Sequence, residues 1–181
     1  MSRTIWTVGH SDRTADVFAS LLRGEAIELL CDVRRFPGSR THPQFGHEAL
    51  AADLTRSRID YRHFAGLGGR RGRPAPGSPN MGWRVEAFNA YADHMTSPEF
   101  LDALNAMIAE ACSRRSVLMC SEAVPWRCHR RLIADALVVR GWTVRDIIGP
   151  GQVREHTLTP FAKILEGRLT YPLELSTSNP P

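Results

Sequence analysis

The stretch Cys120-Ser-Glu-Ala-Val-Pro-Trp-Arg-Cys-His-Arg130 gathers two thiols, a carboxylate, an imidazole and two guanidinium groups within one short run. It reads as the end of a buried strand, a loop carrying Pro125, and the start of a helix over 128–140. Backbone N–H groups at a helix start are unpaired and partly positive, so a thiolate, a carboxylate or a bound phosphate placed there is stabilised as an anion. Arg127, Arg130 and Arg131 add positive charge. On this layout Cys120 or Glu122 is a candidate nucleophile or base, and His129 a proton carrier. Three other readings stay open: small buried thiols with Glu122 paired to an arginine, a metal site, or a reversible Cys120–Cys128 disulfide. The spacing is that of no zinc ribbon, and adjacent helical residues such as Cys128 and His129 should point apart. No metal and no cofactor is therefore expected.

Other polar residues stand where predicted strands end. The first strand ends in His10-Ser11 and the second in Asp32-Val33-Arg34. In an open parallel sheet, ligands bind beyond the carboxyl ends of the strands. His10 is accordingly a second proton carrier. Arg34, Arg40, Arg130 and Ser11 are candidate anion-binding residues. Asp32, Cys128, Gly68 and Gly69 are supporting residues. Asp32 and Arg34 lie two apart, so both reach one side of an extended segment, as an ion pair or as site residues. His10, Arg34 and Glu122 are expected to converge on one cleft. The Gly66–Arg73 run fits no nucleotide-binding fingerprint, because Pro74 and Pro76 prevent a helix from following it. It reads as a mobile basic loop or lid.

The elements that must position these groups follow from the hydrophobic pattern. Segments 3–9, 26–33, 116–120 and 142–148 read as strands, 59–64 as a further short one, and 142–148 as the final one. Helical spacing follows Thr14 and recurs over 47–58, 83–95, 97–112 and 128–140. Ser97 is an N-cap with Pro98 at the first helical position. Alternating strands and helices imply an α/β fold with a mainly parallel sheet covered by helices on both faces. Residues 1–150 form a single domain, 151–181 an extension packing on it, and Ser176–Pro181 a loose end.

Composition narrows the class. The 181 residues are 43% hydrophobic and 23% charged, a globular balance. No run approaches a membrane span and the start lacks a signal peptide's apolar core, so a cytoplasmic protein with four unbridged cysteines is expected. The net charge is +4, and 22 of the 23 basic residues are arginine, which grips phosphate and carboxylate with two N–H groups. That favours a small anionic or nucleotide-like partner. The charge is modest for a nucleic-acid-binding face, although Arg70, Arg71, Arg73, Trp83 and Trp126 supply part of one.

The thiol, loop, arginine and helix are similar in layout to phosphatases and rhodaneses, but six residues rather than five separate Cys120 from Arg127. A broader resemblance runs through Thr7–Ser11, Cys31–Arg40, Leu67–Arg71, Phe88–Met95 and Cys120–Arg130, in that order. Together these strings resemble the domain-of-unknown-function 488 family over roughly Thr4 to Gly149. The resemblance implies a bacterial-type cytosolic α/β protein. It matches the family's motifs at His10, Ser11, Asp32, Arg34, Pro37, Ser39, Arg40, Gly68, Gly69, Cys120, Glu122, Cys128, His129 and Arg130. Cys31 stands where the family usually has an apolar residue, which counts against a role for it. The resemblance implies no particular reaction. An enzyme working by hydrolysis or group transfer is the expectation; a nucleic-acid-binding or regulatory domain is the alternative, and a metal- or redox-responsive protein the third.

Overall fold

The computed structural model describes residues 3–165 and 167–173; the segment expected to be loose, Ser176–Pro181, lies outside them. In chain order the elements are β1 (Thr4–Gly9), α1 (Ala15–Gly24), β2 (Leu29–Asp32), α2 (His47–Arg56), β3 (Asp60–His63), α3 (Glu86–His94), α4 (Pro98–Ala111), β4 (Ser116–Cys120), α5 (Arg130–Val139), β5 (Thr143–Gly149), β6 (Gln152–Glu155), β7 (Lys163–Leu165) and β8 (Arg168–Thr170). Six strands form one sheet in the order β3-β2-β4-β1-β5-β6. The first five are parallel, and β6 runs antiparallel to β5. The fold is thus α/β, with a mainly parallel sheet.

Strand parity divides the core in two. In an extended chain, alternate side chains face opposite ways. Ile5, Leu29, Cys31, Leu118, Cys120 and Val144 pack with α3, α4 and α5 on one face. Trp6, Val8, Leu30, Val117, Met119 and Ile147 pack with α1 and α2 on the other. Burial on both faces explains why β2 and β4 are apolar almost throughout rather than alternating. Caps fix where helices begin: the hydroxyls of Thr14 and Ser97 accept from the backbone N–H of Val17 and Phe100.

Several expected boundaries move for local reasons. The helix expected from Trp83 begins at Glu86, because the Asn89 side chain accepts from the Trp83 N–H and donates to its carbonyl. The strand expected from Ala26 begins at Leu29, after a positive φ of 50° at Ala26. The strand ending near Ile148 is not the last. Pro150 and Gly151, the latter at φ 65°, turn the chain back into β6, and a β7–β8 hairpin follows. The segment after residue 150 therefore supplies an edge strand of the sheet itself. It is further anchored by Tyr171, which is fully buried against Trp83 and Phe161.

The carboxyl ends of β1, β2 and β4 lie side by side. β1 and β4 pair through Gly9 and Cys120, and β2 and β4 through Asp32 and Met119. From β1 the chain moves outward to β2, and from β4 it crosses β1 to β5. The reversal of strand order falls between β4 and β1, where such sheets place ligands.

Candidate active site

Cys120 closes β4 and shares the parity of Leu118, so its sulfur points toward α3 and α5 and is only 5% exposed. Cys128 is not helical. It follows a single 3-10 turn (Pro125–Arg127) in an extended conformation, φ −133° and ψ 144°. The helix starts only at Arg130, with His129 as its N-cap at φ −59° and ψ −20°. The expectation that Cys128 and His129 diverge assumed that both were helical. With one extended, their side chains meet. His129 Nδ1 lies 3.7 Å from Cys128 Sγ and 3.8 Å from Cys120 Sγ, and the three ligating atoms all fall within 4.8 Å of one another.

The tautomer of His129 follows from its other nitrogen. Nε2 sits 2.9 Å from the Val33 carbonyl, which can only accept, so Nε2 carries a proton and donates. Nδ1 is thereby aimed at the sulfurs, as a lone pair while the ring is neutral and as a donor once it holds a proton. Tyr91 packs edge-on against the ring at 4.9 Å, and its hydroxyl donates to the Leu67 carbonyl. Gly69 closes another side: a Cβ there would stand 2.8 Å from His129 Nδ1. The two thiols are driven apart in acidity. Hydrogen bonding from Cys128, then the charges of His129 and Arg130, overcome burial and hold Cys120 well below the usual thiol range. Burial pushes Cys128 well above it. Cys31, by contrast, is pushed up to about 12 by burial, an inert packing thiol.

The sulfurs lie in a cleft of roughly 640 Å³, also lined by His10, Arg34, Arg35, Phe36, Arg40, His42, Arg70, Glu122 and Arg127. Arg34 is buried and largely engaged. It pairs with Asp32 at 2.6 Å, donates to the Phe45 carbonyl, and directs one N–H toward His10 Nε2 at 3.4 Å. Asp32 in turn accepts from the Tyr61 hydroxyl. His10 donates through Nδ1 to the Ser11 carbonyl and stacks on Phe45 at 4.2 Å. Burial lowers its pKa, so it is neutral at physiological pH. Arg35, Arg40, Arg70 and Arg127 are exposed at the rim.

The cleft thus brings together Cys120, Glu122, Cys128, His129, His10, Arg34, Arg40 and Gly69. Ser11 lies in an adjoining shallower pocket with Asp12, Ser121 and Glu122. Asp32 and Gly68 act from behind: a Cβ on Gly68 would meet the Arg35 backbone at 2.5 Å. Arg130 is placed differently from the expectation of an anion-binding residue. It is fully buried, and its guanidinium donates to the carbonyls of Glu122 and Ala123, holding the loop beneath the cleft. Glu122 is exposed and has no ion pair among the described residues. The run expected to be a mobile lid is tied down by Arg71, which bonds the Gly66 and Gly68 carbonyls and Glu99. Sequence reasoning missed Tyr91, Phe45, His42 and Arg35. Tyr91 falls within a family-like string, Phe88–Met95, but on a helix its type signals only packing.

The fold and site define an α/β protein of the mainly parallel type, with a thiol–imidazole cluster at the carboxyl edge of its sheet. The chain belongs to the family described as domain of unknown function DUF488, whose family model matches residues 13–137. No curated protein and no solved structure matches it. Among the described residues no helix is long and apolar enough to cross a membrane.

Proposed function

We propose that the protein is an enzyme acting by hydrolysis or group transfer on a small anionic or nucleotide-like substrate, with Cys120 Sγ as the attacking atom. The observation that carries this reading is the placement of Cys120 Sγ 3.8 Å from an oriented imidazole nitrogen, in a cleft ringed by arginines. In the first step the Cys120 thiolate, its proton held on His129 Nδ1, bonds to the electrophilic acyl or phosphoryl centre. The leaving group departs with that proton. Water or an acceptor then attacks the thio-linked intermediate, losing its proton to His129, and the sulfur leaves. Arg40, Arg70 and Arg127 bind the anion, and Arg34 holds His10 and the adjoining wall. Glu122, exposed at the rim, fits activation of the second nucleophile better than attack. A concave cleft, rather than a flat basic stripe, favours this reading over nucleic-acid binding.

Alkylation tests it with an internal control, since Cys112 is exposed. Reduced, chelator-treated protein is labelled with iodoacetate or iodoacetamide, and the modified peptides are quantified by mass spectrometry. Cys120 should react before Cys112, should prefer the anionic reagent, and should be protected by phosphate or sulfate. His129→Ala should slow it at least about 100-fold, the low end of what a positioned proton carrier contributes. Labelling of Cys112 first, with Cys120 silent, would refute the assignment.

A further inference from the structure

We propose that Cys120, Cys128 and His129 form a three-ligand site for a thiophilic divalent cation of the zinc type, and that its occupation silences the Cys120 nucleophile. The metal site stands on geometry alone; the silencing rests on the proposed function above.

The argument begins with distances. Zinc–sulfur bonds of about 2.3 Å and zinc–nitrogen bonds of about 2.0–2.1 Å, arranged tetrahedrally, place sulfur and nitrogen about 3.6 Å apart and two sulfurs about 3.8 Å apart. The two sulfur–nitrogen separations here, 3.7 and 3.8 Å, are already those of a filled site. The sulfurs lie within the 4.8 Å that encloses all three atoms, so a small rotation of one side chain completes the triangle. The imidazole is prepared as well. A ligating histidine ordinarily donates its other N–H to a carbonyl or carboxylate, which aims the lone pair at the ion. The Val33 carbonyl does this for His129 through Nε2.

The donor set selects the ion. Two thiolates and an imidazole suit zinc and its soft neighbours and exclude magnesium and calcium, which take oxygen ligands. Two thiolates neutralise a dication, so an uncharged centre forms beside the buried Arg130. Any thiol protons still present are released to solvent, with no change of oxidation state. Three protein ligands leave a fourth position, and the cleft supplies it with water or a substrate anion. A metal-bound Cys120 sulfur shares its lone pair with the ion and cannot attack.

The test uses the full-length protein, reduced and stripped of metal. Titration with cobalt(II) should give a near-ultraviolet thiolate charge-transfer band and the visible bands of a tetrahedral ion, saturating at one equivalent and removed by one equivalent of zinc. Zinc should protect Cys120 from iodoacetate, and a chelator should restore labelling. Cys128→Ser should weaken zinc binding about 100-fold or more, beyond what loss of an outer partner usually costs. Absence of the cobalt bands in the wild type overturns the site. So does zinc binding that neither Cys128→Ser nor His129→Ala weakens. Stoichiometric zinc with undiminished Cys120 labelling overturns the silencing. Tetrahedral cobalt bands in a protein whose Cys120 never labels metal-free would instead defeat the proposed function and leave the metal site standing.

Discussion

Replacing His156 by glutamine tests an imidazole that bridges two buried carboxylates. Its Nε2 and Nδ1 each lie 3.0 Å from an oxygen, of Asp135 on α5 and of Asp146 on β5 respectively. Both nitrogens therefore carry protons, and the ring is an imidazolium. Asp135 also accepts from Thr159 and Tyr171, and Asp146 from Thr7. Burial alone would lower the pKa of His156, but hydrogen bonds to Asp135 and Asp146 reverse that and raise it to about 9 from 6.5. At 1.36 kcal/mol per pH unit, the difference contributes about 3 kcal/mol to stability. Because the folded value is the higher, this contribution is complete below about pH 6.5 and is lost as pH rises through about 9. Urea unfolding of wild type and His156→Gln across pH 6 to 10 reads it as a difference curve. The variant should be less stable by about 3–5 kcal/mol at pH 6, because two buried carboxylates lose their cation. The gap should narrow by about 3 kcal/mol by pH 10. Parallel curves for the two proteins would refute the imidazolium assignment.

Arg130→Met should cost about 2–4 kcal/mol by thermal unfolding, because it removes the buried guanidinium that donates to the carbonyls of Glu122 and Ala123; a purely ligand-binding arginine would leave stability unchanged. Glu122→Gln should alter stability by less than about 0.5 kcal/mol, as its exposed carboxylate has no ion pair among the described residues, and a large drop in melting temperature would show that it holds the loop. Gly69→Ala should lower both stability, by about 1–3 kcal/mol, and the Cys120 labelling rate, because the new methyl meets His129 Nδ1 at 2.8 Å; full retention of both would mean that the ring moves aside freely.

What was legible in the sequence was whatever period and punctuation encode. Four largely apolar runs and the Ile59–Phe64 segment gave the parallel strands, and capping residues such as Ser97 gave helix starts. The α/β class followed from their alternation. The antiparallel edge strand was not legible: β6 reads Gln-Val-Arg-Glu, and only its Pro150-Gly151 turn hints at pairing. Among polar residues, strand ends marked Cys120, His10 and Arg34, which line one cleft. The meeting of Cys128 with His129 was hidden, since it depends on one residue being extended just before a helix. Arg130 was equally opaque. An arginine one residue into a helix has the same signature whether it grips an external anion or the backbone of its own loop.

The bond from His129 to the Val33 carbonyl places the orientation of the sulfur's partner on the strand that carries the arginine wall. Val33 lies between Asp32 and Arg34, the buried ion pair on that wall. One peptide segment thus holds both the buried ion pair and the carbonyl that orients the imidazole. Under the proposed function, replacements along this segment are expected to change ligand affinity and the Cys120 labelling rate together. Tuning specificity alone requires changes at Arg40, Arg70 and Arg127, whose exposed side chains stand off it.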